Sequence, residues 1–146
     1  MKTALIAGTK EKSIGRFVAD SLHKNGWEIW LYSRHAEKVD KPHWHERKCD
    51  ISSEKGIAEL MEEIRDVDLV MMLADTGGHG LLENLSETKV KDCIDSKLVG
   101  SVLLNKSLRN KFSKRNEPIK IIWCAGKPSG KSKDLILYSM VNSGLA

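Results

Sequence analysis

The chain has 146 residues, a length that suits one domain with a single core, and we expect residues 1–146 to form one domain. Its 40% hydrophobic and 30% charged residues are typical of a soluble globular protein, and its apolar runs are too short to span a membrane. The net charge is +4, but the lysines are scattered rather than grouped with aromatic residues, so we expect a phosphate-bearing small ligand and no nucleic acid.

The first 33 residues predict a strand, a turn, a helix and a second strand. Residues 2–8 form a short apolar run that ends at Gly8, which indicates a buried parallel strand. A helix is predicted over residues 14–25, ending at Gly26, and residues 27–33 form a second β-rich run. The helical periodicity places five residues on one face, as expected of a helix that packs on a core: Ile14, Phe17, Val18, Ser21 and Leu22.

The turn between the first strand and the helix carries Gly8 and Gly15, separated by six residues. Glycines in such a turn let the backbone approach a pyrophosphate, whose charge is met by free N–H groups and by the positive end of the helix. The spacing lacks the middle glycine of the G-x-G-x-x-G pattern. A turn glycine followed by a helix-packing glycine would look the same, so this pattern alone leaves both interpretations open.

Arg34 follows the second predicted strand, where a doubly wound sheet contacts the adenosine ribose of its ligand. An arginine there pairs with a 2′-phosphate through its planar guanidinium, and Lys10 and Lys12 in the glycine turn could add positive charge. The alternative is a solvated surface arginine.

Residues 42–50 predict a third strand at the edge of the sheet. Strand alternation would place His43, His45 and Cys49 on one face, which resembles a metal cluster only superficially. No fourth ligand has a suitable spacing, so we expect no metal.

The rest of the chain alternates in the same way. Ser52 or Ser53 caps a second helix, residues 68–75 form a fourth strand, and the glycine-rich turn at 77–80 either approaches a ligand or is a flexible loop. A long helix over 86–112, a fifth strand over 119–126 and a last helix from Leu135 follow. The expected core positions of these helices are Ile57, Leu60, Met61, Ile64, Val90, Cys93, Ile94, Leu98, Leu103, Leu104 and Leu108.

This alternation predicts an α/β fold with a doubly wound, Rossmann-like parallel sheet of five strands in the order 3-2-1-4-5. The ligand should lie at the carboxyl ends of strands 1 and 4. Cys49, Cys93 and Cys124 are odd in number and widely spaced, which favours reduced thiols, and no signal-peptide pattern follows Met1. We therefore expect a cytoplasmic protein.

Taken together, these segments resemble the short-chain dehydrogenase/reductase family. Residues 8–15 are similar to its glycine turn, Arg34 lies where NADP-preferring members carry a basic residue, and residues 49–51 are similar to its adenine-binding Asp-Val/Leu pair. Residues 73–77 lie where the family has Asn-Asn-Ala-Gly. The resemblance implies an NADP cofactor, with NAD less likely, bound by Gly8, Lys12, Ser13, Ile14, Gly15, Arg34, Asp50, Ile51, Ala74 and Gly77.

The family's catalytic positions are largely altered. Its Tyr-x-x-x-Lys motif aligns with Tyr138 and Asn142, its serine falls at Ala125, and its helix-four asparagine falls at Lys97. A tyrosine with a pKa of ~10 is a poor acid–base group at neutral pH unless a nearby cation lowers that pKa. Asn142 carries no charge, so Lys97 is the one candidate to replace the missing lysine.

Two functions remain open. The first is an NADP(H)-binding oxidoreductase of a small carbonyl substrate, with a degenerate catalytic site. The second is a catalytically inactive nucleotide-binding regulatory or protein-interaction domain. The resemblance covers about the first three fifths of a typical member, so we expect a C-terminally truncated chain whose fifth strand is an apolar edge. Such an edge favours a homo-oligomer.

Overall fold

The computed structural model describes residues 1–36, 39–73, 79–126 and 135–145. Within these residues five strands form one parallel sheet in the order β3-β2-β1-β4-β5, which confirms the predicted fold class and strand order. The strands are β1 (Thr3–Ala7), β2 (Glu28–Ser33), β3 (Trp44–Lys48), β4 (Leu69–Met72) and β5 (Lys120–Trp123). The helices are α1 (Ile14–Lys24), α2 (Glu54–Glu63), α3 (Glu87–Ile94), α4 (Gly100–Lys111) and α5 (Ile136–Ser143), and a short 3₁₀ helix spans Leu82–Asn84.

The central strand β1 is buried along its whole length. Because successive side chains of a strand point to opposite faces, Leu5 and Ala7 join one core while Ala4 and Ile6 join another. The first core also contains the buried side chains of α2 and α4, and the second contains Ala19 of α1. The sheet is therefore covered by helices on both faces.

The predicted buried face of α1 is confirmed at Val18 and Leu22, which pack against the second core, and is wrong in the first turn. Ile14 and Phe17 are 70% and 76% exposed, whereas Gly15 and Ala19 are buried. A Cβ atom at Gly15 would lie 2.5 Å from the backbone oxygen of Gly8, so the helix meets the end of β1 backbone to backbone. This close approach requires the side of α1 with the smallest residues to face the sheet, and the bulky apolar residues of its first turn are turned outward.

The second helix agrees with its prediction. The Ser53 hydroxyl accepts a hydrogen bond from the Gly56 N–H and caps α2. The four predicted core residues of this segment are all buried: Ile57, Leu60, Met61 and Ile64.

The predicted helix over 86–112 is interrupted by a π-helical turn, Asp95–Val99, which joins α3 to α4. The turn brings Lys97 inside the protein, where it is 7% exposed. The hydroxyl of Ser101, one turn later, donates to the Lys97 carbonyl. Short π-helical turns recur at functional sites. Helical periodicity alone could not have located this one.

At the amino ends of the strands, Asp68 ties three segments together. Its carboxylate accepts the Thr3 N–H at 2.8 Å and pairs with Arg115, which also contacts Asp66 at 2.9 Å. Burial alone would raise the pKa of Asp68, but the hydrogen bonds from Thr3 and Arg115 hold it below its usual value.

In the described residues, no helix is both long and apolar enough to cross a membrane.

Candidate nucleotide-binding site

The glycine turn leads directly from β1 into α1. Gly8 has a positive φ of 78°, a conformation that favours glycine. The Ser13 hydroxyl donates to the Gly8 carbonyl at 2.9 Å and accepts from the Arg16 N–H at 3.2 Å, which caps the helix. Since Gly8 is required by its φ and Gly15 by its contact with Gly8, the fold alone explains both glycines. The same geometry leaves the amino end of α1 beside the turn, where an anion is favoured.

A cavity of about 460 Å³ lies at the carboxyl ends of β1, β2 and β3, and Leu73, directly after β4, also lines it. This volume is within the usual range for a small-molecule site. The cavity is lined by Ala7, Gly8, Thr9, Lys10, Ser13, Tyr32, Ser33, Arg34, His35, Cys49, Asp50, Ile51, Leu73 and Ser96. The structure thus brings together the glycine turn, Arg34 and the Asp50–Ile51 pair. Ile14 is exposed, and Lys12 has a left-handed φ of 61° within the turn.

Arg34 is paired with a residue that the sequence did not suggest. Its Nη1 atom lies 2.7 Å from the Oδ1 atom of Asp92 on α3. The two side chains are 45% and 44% exposed, so the pair is solvated. The partners are 58 residues apart, and local pattern contains no signal for such a contact.

Asp50 and Ile51, which follow Cys49 after β3, have different environments. The Asp50 carboxylate is exposed and accepts hydrogen bonds from the N–H and the hydroxyl of Ser52, at 3.0 and 2.7 Å. Ile51 is buried and packs on Gly100, where an added Cβ would lie 2.9 Å from the Ile51 side chain. The glycine at the start of α4 therefore allows that helix to approach the cavity wall.

Tyr32 and Cys49 form a neutral part of the wall. Both are buried, and the Tyr32 hydroxyl has no hydrogen-bond partner among the described residues. Burial raises the pKa of Tyr32, with a smaller contribution from Cys49. Burial also raises the pKa of the Cys49 thiol to about 11, helped by the charges of Asp50 and Glu59. Neither group ionises at neutral pH.

Tyr138 lies at the carboxyl end of β5, away from the glycine turn. Its hydroxyl occupies the space that a Cβ atom of Gly126 would fill, only 1.7 Å from that position. Its ring stacks on His79 with centroids 5.1 Å apart, and the Lys97 Nζ lies 5.2 Å from the ring centroid. The sequence predicted either a ligand-approaching turn or a flexible loop at 77–80, and no local pattern indicates that His79 stacks on Tyr138.

Lys97 and Asn142, at the two altered family positions, contact each other. The Lys97 ammonium donates to Asn142 Oδ1 at 2.8 Å, and the same oxygen accepts the Gly126 N–H at 2.9 Å. The Asn142 amide in turn donates to the Tyr138 carbonyl at 2.7 Å. All three predicted catalytic residues, Tyr138, Lys97 and Asn142, therefore lie together. Asn142 is 1% exposed, so its amide fixes the buried ammonium beside the tyrosine.

Other predicted positions have different outcomes. Ala74 and Gly77 lie outside the described residues. The expected common face of His43, His45 and Cys49 is wrong, because His43 precedes β3 in a left-handed conformation and is exposed while Cys49 is buried. His45 stacks on Trp30. Across the described ranges, no group of three potential ligand side chains could hold a metal ion.

Comparisons with known proteins found a family match and many solved structures with a similar fold. The family model for short chain dehydrogenase matches residues 2–127. No curated protein sequence is significantly similar to the chain.

Three solved structures illustrate the structural similarity. A short chain dehydrogenase family protein from Francisella tularensis is 16% identical, with a TM-score of 0.82 over 99% of this chain and 60% of that one. A 3-ketoacyl-(acyl-carrier-protein) reductase from Brucella melitensis, complexed with NADH, is 19% identical, with a TM-score of 0.85 over 99% of this chain and 65% of that one. ElxO with NADP bound is 21% identical, with a TM-score of 0.83 over 99% of this chain and 63% of that one. The chain thus spans a little over three fifths of these proteins.

Proposed function

Because the chain belongs to the short-chain dehydrogenase family, we propose that it binds NADP(H) in the cavity at the carboxyl ends of β1, β2 and β3. The observation that carries this proposal is that one cavity is lined by both the glycine turn and Arg34. The amino end of α1 would meet the pyrophosphate, and Arg34 would pair with the 2′-phosphate. Asp50 and Ile51 would contact the adenine, as the family resemblance implies.

Calorimetric titration with NADP⁺ and NAD⁺ tests the proposal. Replacing Arg34 by alanine should weaken NADP⁺ binding by about 1.5–3 kcal/mol, as for other hydrogen bonds to charged groups, and should leave NAD⁺ binding nearly unchanged. Arg65→Ala is the matched control, because Arg65 is exposed and is not among the residues that line the cavity. Equal affinity of the wild type for the two nucleotides would refute the NADP preference.

We further propose that the protein reduces a small carbonyl compound with Tyr138 as the proton donor. The bound cofactor supplies the hydride, and this chain's residues position and supply the proton. The Lys97 ammonium, 5.2 Å from the centroid of the Tyr138 ring, would stabilise the negative charge that develops on the tyrosine oxygen as the proton leaves. Here that ammonium belongs to Lys97 on the π-helical turn rather than to residue 142. Ala125 has no hydroxyl to hold a substrate carbonyl, so the proposed activity is weak.

A regulatory or interaction domain without catalysis is the second candidate. It is favoured by the hydrogen bonds of Asn142, whose oxygen binds Lys97 and Gly126 while its nitrogen binds the Tyr138 carbonyl. Such a network also serves to dock α5 on β5. Tight NADPH binding without any ketone-dependent or enoyl-dependent NADPH oxidation would favour this candidate.

We also propose that the protein self-associates and is cytoplasmic. Exposed apolar side chains lie on β5, α4 and α5, namely Ile122, Trp123, Val102, Ile136 and Met140. Exposed apolar surface of this kind usually marks an interface. Sedimentation at micromolar concentration should detect an oligomer, and a compact monomer would refute this part.

The described cysteines are all free thiols, which suits a reducing compartment.

A further inference from the structure

We propose that Asp92 is a specificity-determining residue that weakens the preference for NADP(H) by competing with the 2′-phosphate for Arg34. The inference rests on the proposed function, since it concerns the same cavity. It goes beyond that function because it assigns a role to a residue that is neither in the glycine turn nor in the family pattern quoted above.

The geometry of the ion pair supports competition. Asp92 Oδ1 lies 2.7 Å from Arg34 Nη1, at the distance of a strong charge-assisted hydrogen bond. A guanidinium binds a phosphate best through two parallel N–H donors, and one of its terminal nitrogens is already paired with the carboxylate. A 2′-phosphate on Arg34 would therefore lie within several ångströms of a negative charge, which repels it.

The exposure of the pair indicates that the competition is limited. Both side chains are almost half exposed, so water screens the charges and the pair opens at small cost. Lys10, which lines the same cavity, adds positive charge that the 2′-phosphate meets as well. The ribose of NAD⁺ carries a neutral 2′-hydroxyl, which can donate a hydrogen bond to a carboxylate. Asp92 should therefore disfavour NADP⁺ and leave NAD⁺ unaffected or slightly favoured.

The test compares Asp92→Asn with Asp95→Asn by calorimetric titration at low ionic strength, using NADP⁺ and NAD⁺. Asp95 is exposed in the π-helical turn, so its replacement removes the same charge close to Asp92 without touching the ion pair. Asp92→Asn should tighten NADP⁺ binding about two- to five-fold, the range of exposed ion pairs, and should leave NAD⁺ binding unchanged or slightly weaker. Asp95→Asn should leave the ratio of the two affinities unchanged.

A double-mutant cycle assigns the effect to the pair. In an Arg34→Ala background the Asp92→Asn change should no longer alter the affinity ratio. An unchanged or lowered NADP⁺/NAD⁺ ratio in Asp92→Asn, in a variant that melts like the wild type, overturns the inference and leaves the proposed function intact. A wild type that prefers NAD⁺, combined with a shift toward NADP⁺ in Asp92→Asn, overturns the proposed preference and supports the inference. A wild type that binds neither nucleotide overturns both.

Discussion

At the carboxyl edge of the sheet, the region at β1 and the region at β5 are held together by different groups. Around β1 the candidate site is made of backbone, where a positive φ at Gly8 and a bare Gly15 bring the start of α1 onto the strand end. Around β5 it is made of side chains, where Lys97, Asn142 and Tyr138 contact one another. A backbone site tolerates few substitutions, whereas a side-chain site can be rearranged position by position. This difference agrees with the sequence analysis, in which residues 8–15 resemble the family's glycine turn while the residues expected at its catalytic positions differ from the family's.

In the alignment that the resemblance implies, residue types are exchanged between two positions near β5. The family's asparagine would fall at Lys97 and its lysine at Asn142, and the structure places these two side chains 2.8 Å apart. A cation and an amide are therefore still present beside Tyr138, but they are carried by opposite helices.

The largest expected effect comes from reversing that exchange. The triple variant Lys97→Asn, Asn142→Lys and Ala125→Ser restores the family's residue at each altered position, and it should raise NADPH-dependent ketone reduction by on the order of 10²-fold or more over the wild type. Steady-state rates with a panel of ketones measure it. The single variant Lys97→Asn is the control and should lower the residual rate. Activity of the wild type that is robust and survives Lys97→Ala would contradict the role given to Lys97.

A second substitution tests the backbone nature of the β1 end. A side chain at Gly15 would collide with the Gly8 carbonyl, so Gly15→Val should lower the free energy of unfolding by about 1–3 kcal/mol. Urea denaturation measures the change. Ser21→Ala, on the exposed face of the same helix, should change stability by less than about 0.5 kcal/mol. Equal stability of Gly15→Val and the wild type would mean that α1 does not depend on this close approach.

A smaller effect on the stability of the fold is expected from Asp68, at the amino ends of the strands, as the pH is lowered. The pKa of Asp68 is lower in the folded protein than its usual value near 3.9, so its carboxylate stabilises the fold above that value. That stabilisation is lost as the pH falls below about 4 and through the folded-state pKa. Asp68→Asn should therefore be less stable than the wild type at pH 7, and the difference should shrink at pH 3. Urea midpoints at both values measure it, and a difference independent of pH would contradict this role.

The smallest perturbation is chemical labelling of the thiols. Cys124, directly after β5, is exposed, whereas Cys49 and Cys93 are buried, and the pKa of Cys49 is raised by burial to about 11. Brief treatment of the native protein with a maleimide should label Cys124 alone, as read by peptide mass spectrometry. Labelling of all three sites in urea is the control. Fast native labelling of Cys49 would show that the cavity wall is more open than the structure indicates.

The sequence was informative wherever burial follows a local period. The strand order was predictable because the five strand segments are short, mostly apolar and separated by helical patterns, and the core of α2 was predictable from its spacing. The orientation of the first turn of α1 was not predictable, since a contact between the backbones of Gly8 and Gly15 decides it. Neither the Arg34–Asp92 pair nor the stacking of His79 on Tyr138 was predictable, because both join residues about 60 positions apart.

The π-helical turn makes the Tyr138 site sensitive to insertions and deletions as well as to substitutions. Such a turn contains one residue more than an α-helical turn, so it offsets the side chains before and after it by about 100° relative to a regular helix. Loss of one residue between 95 and 99 would restore the regular register and rotate α3 against α4. The position of the ammonium beside Tyr138 would then pass to a neighbouring residue, although every remaining amino acid stayed the same. The number of residues in the π-helical turn therefore determines whether a positive charge lies beside Tyr138.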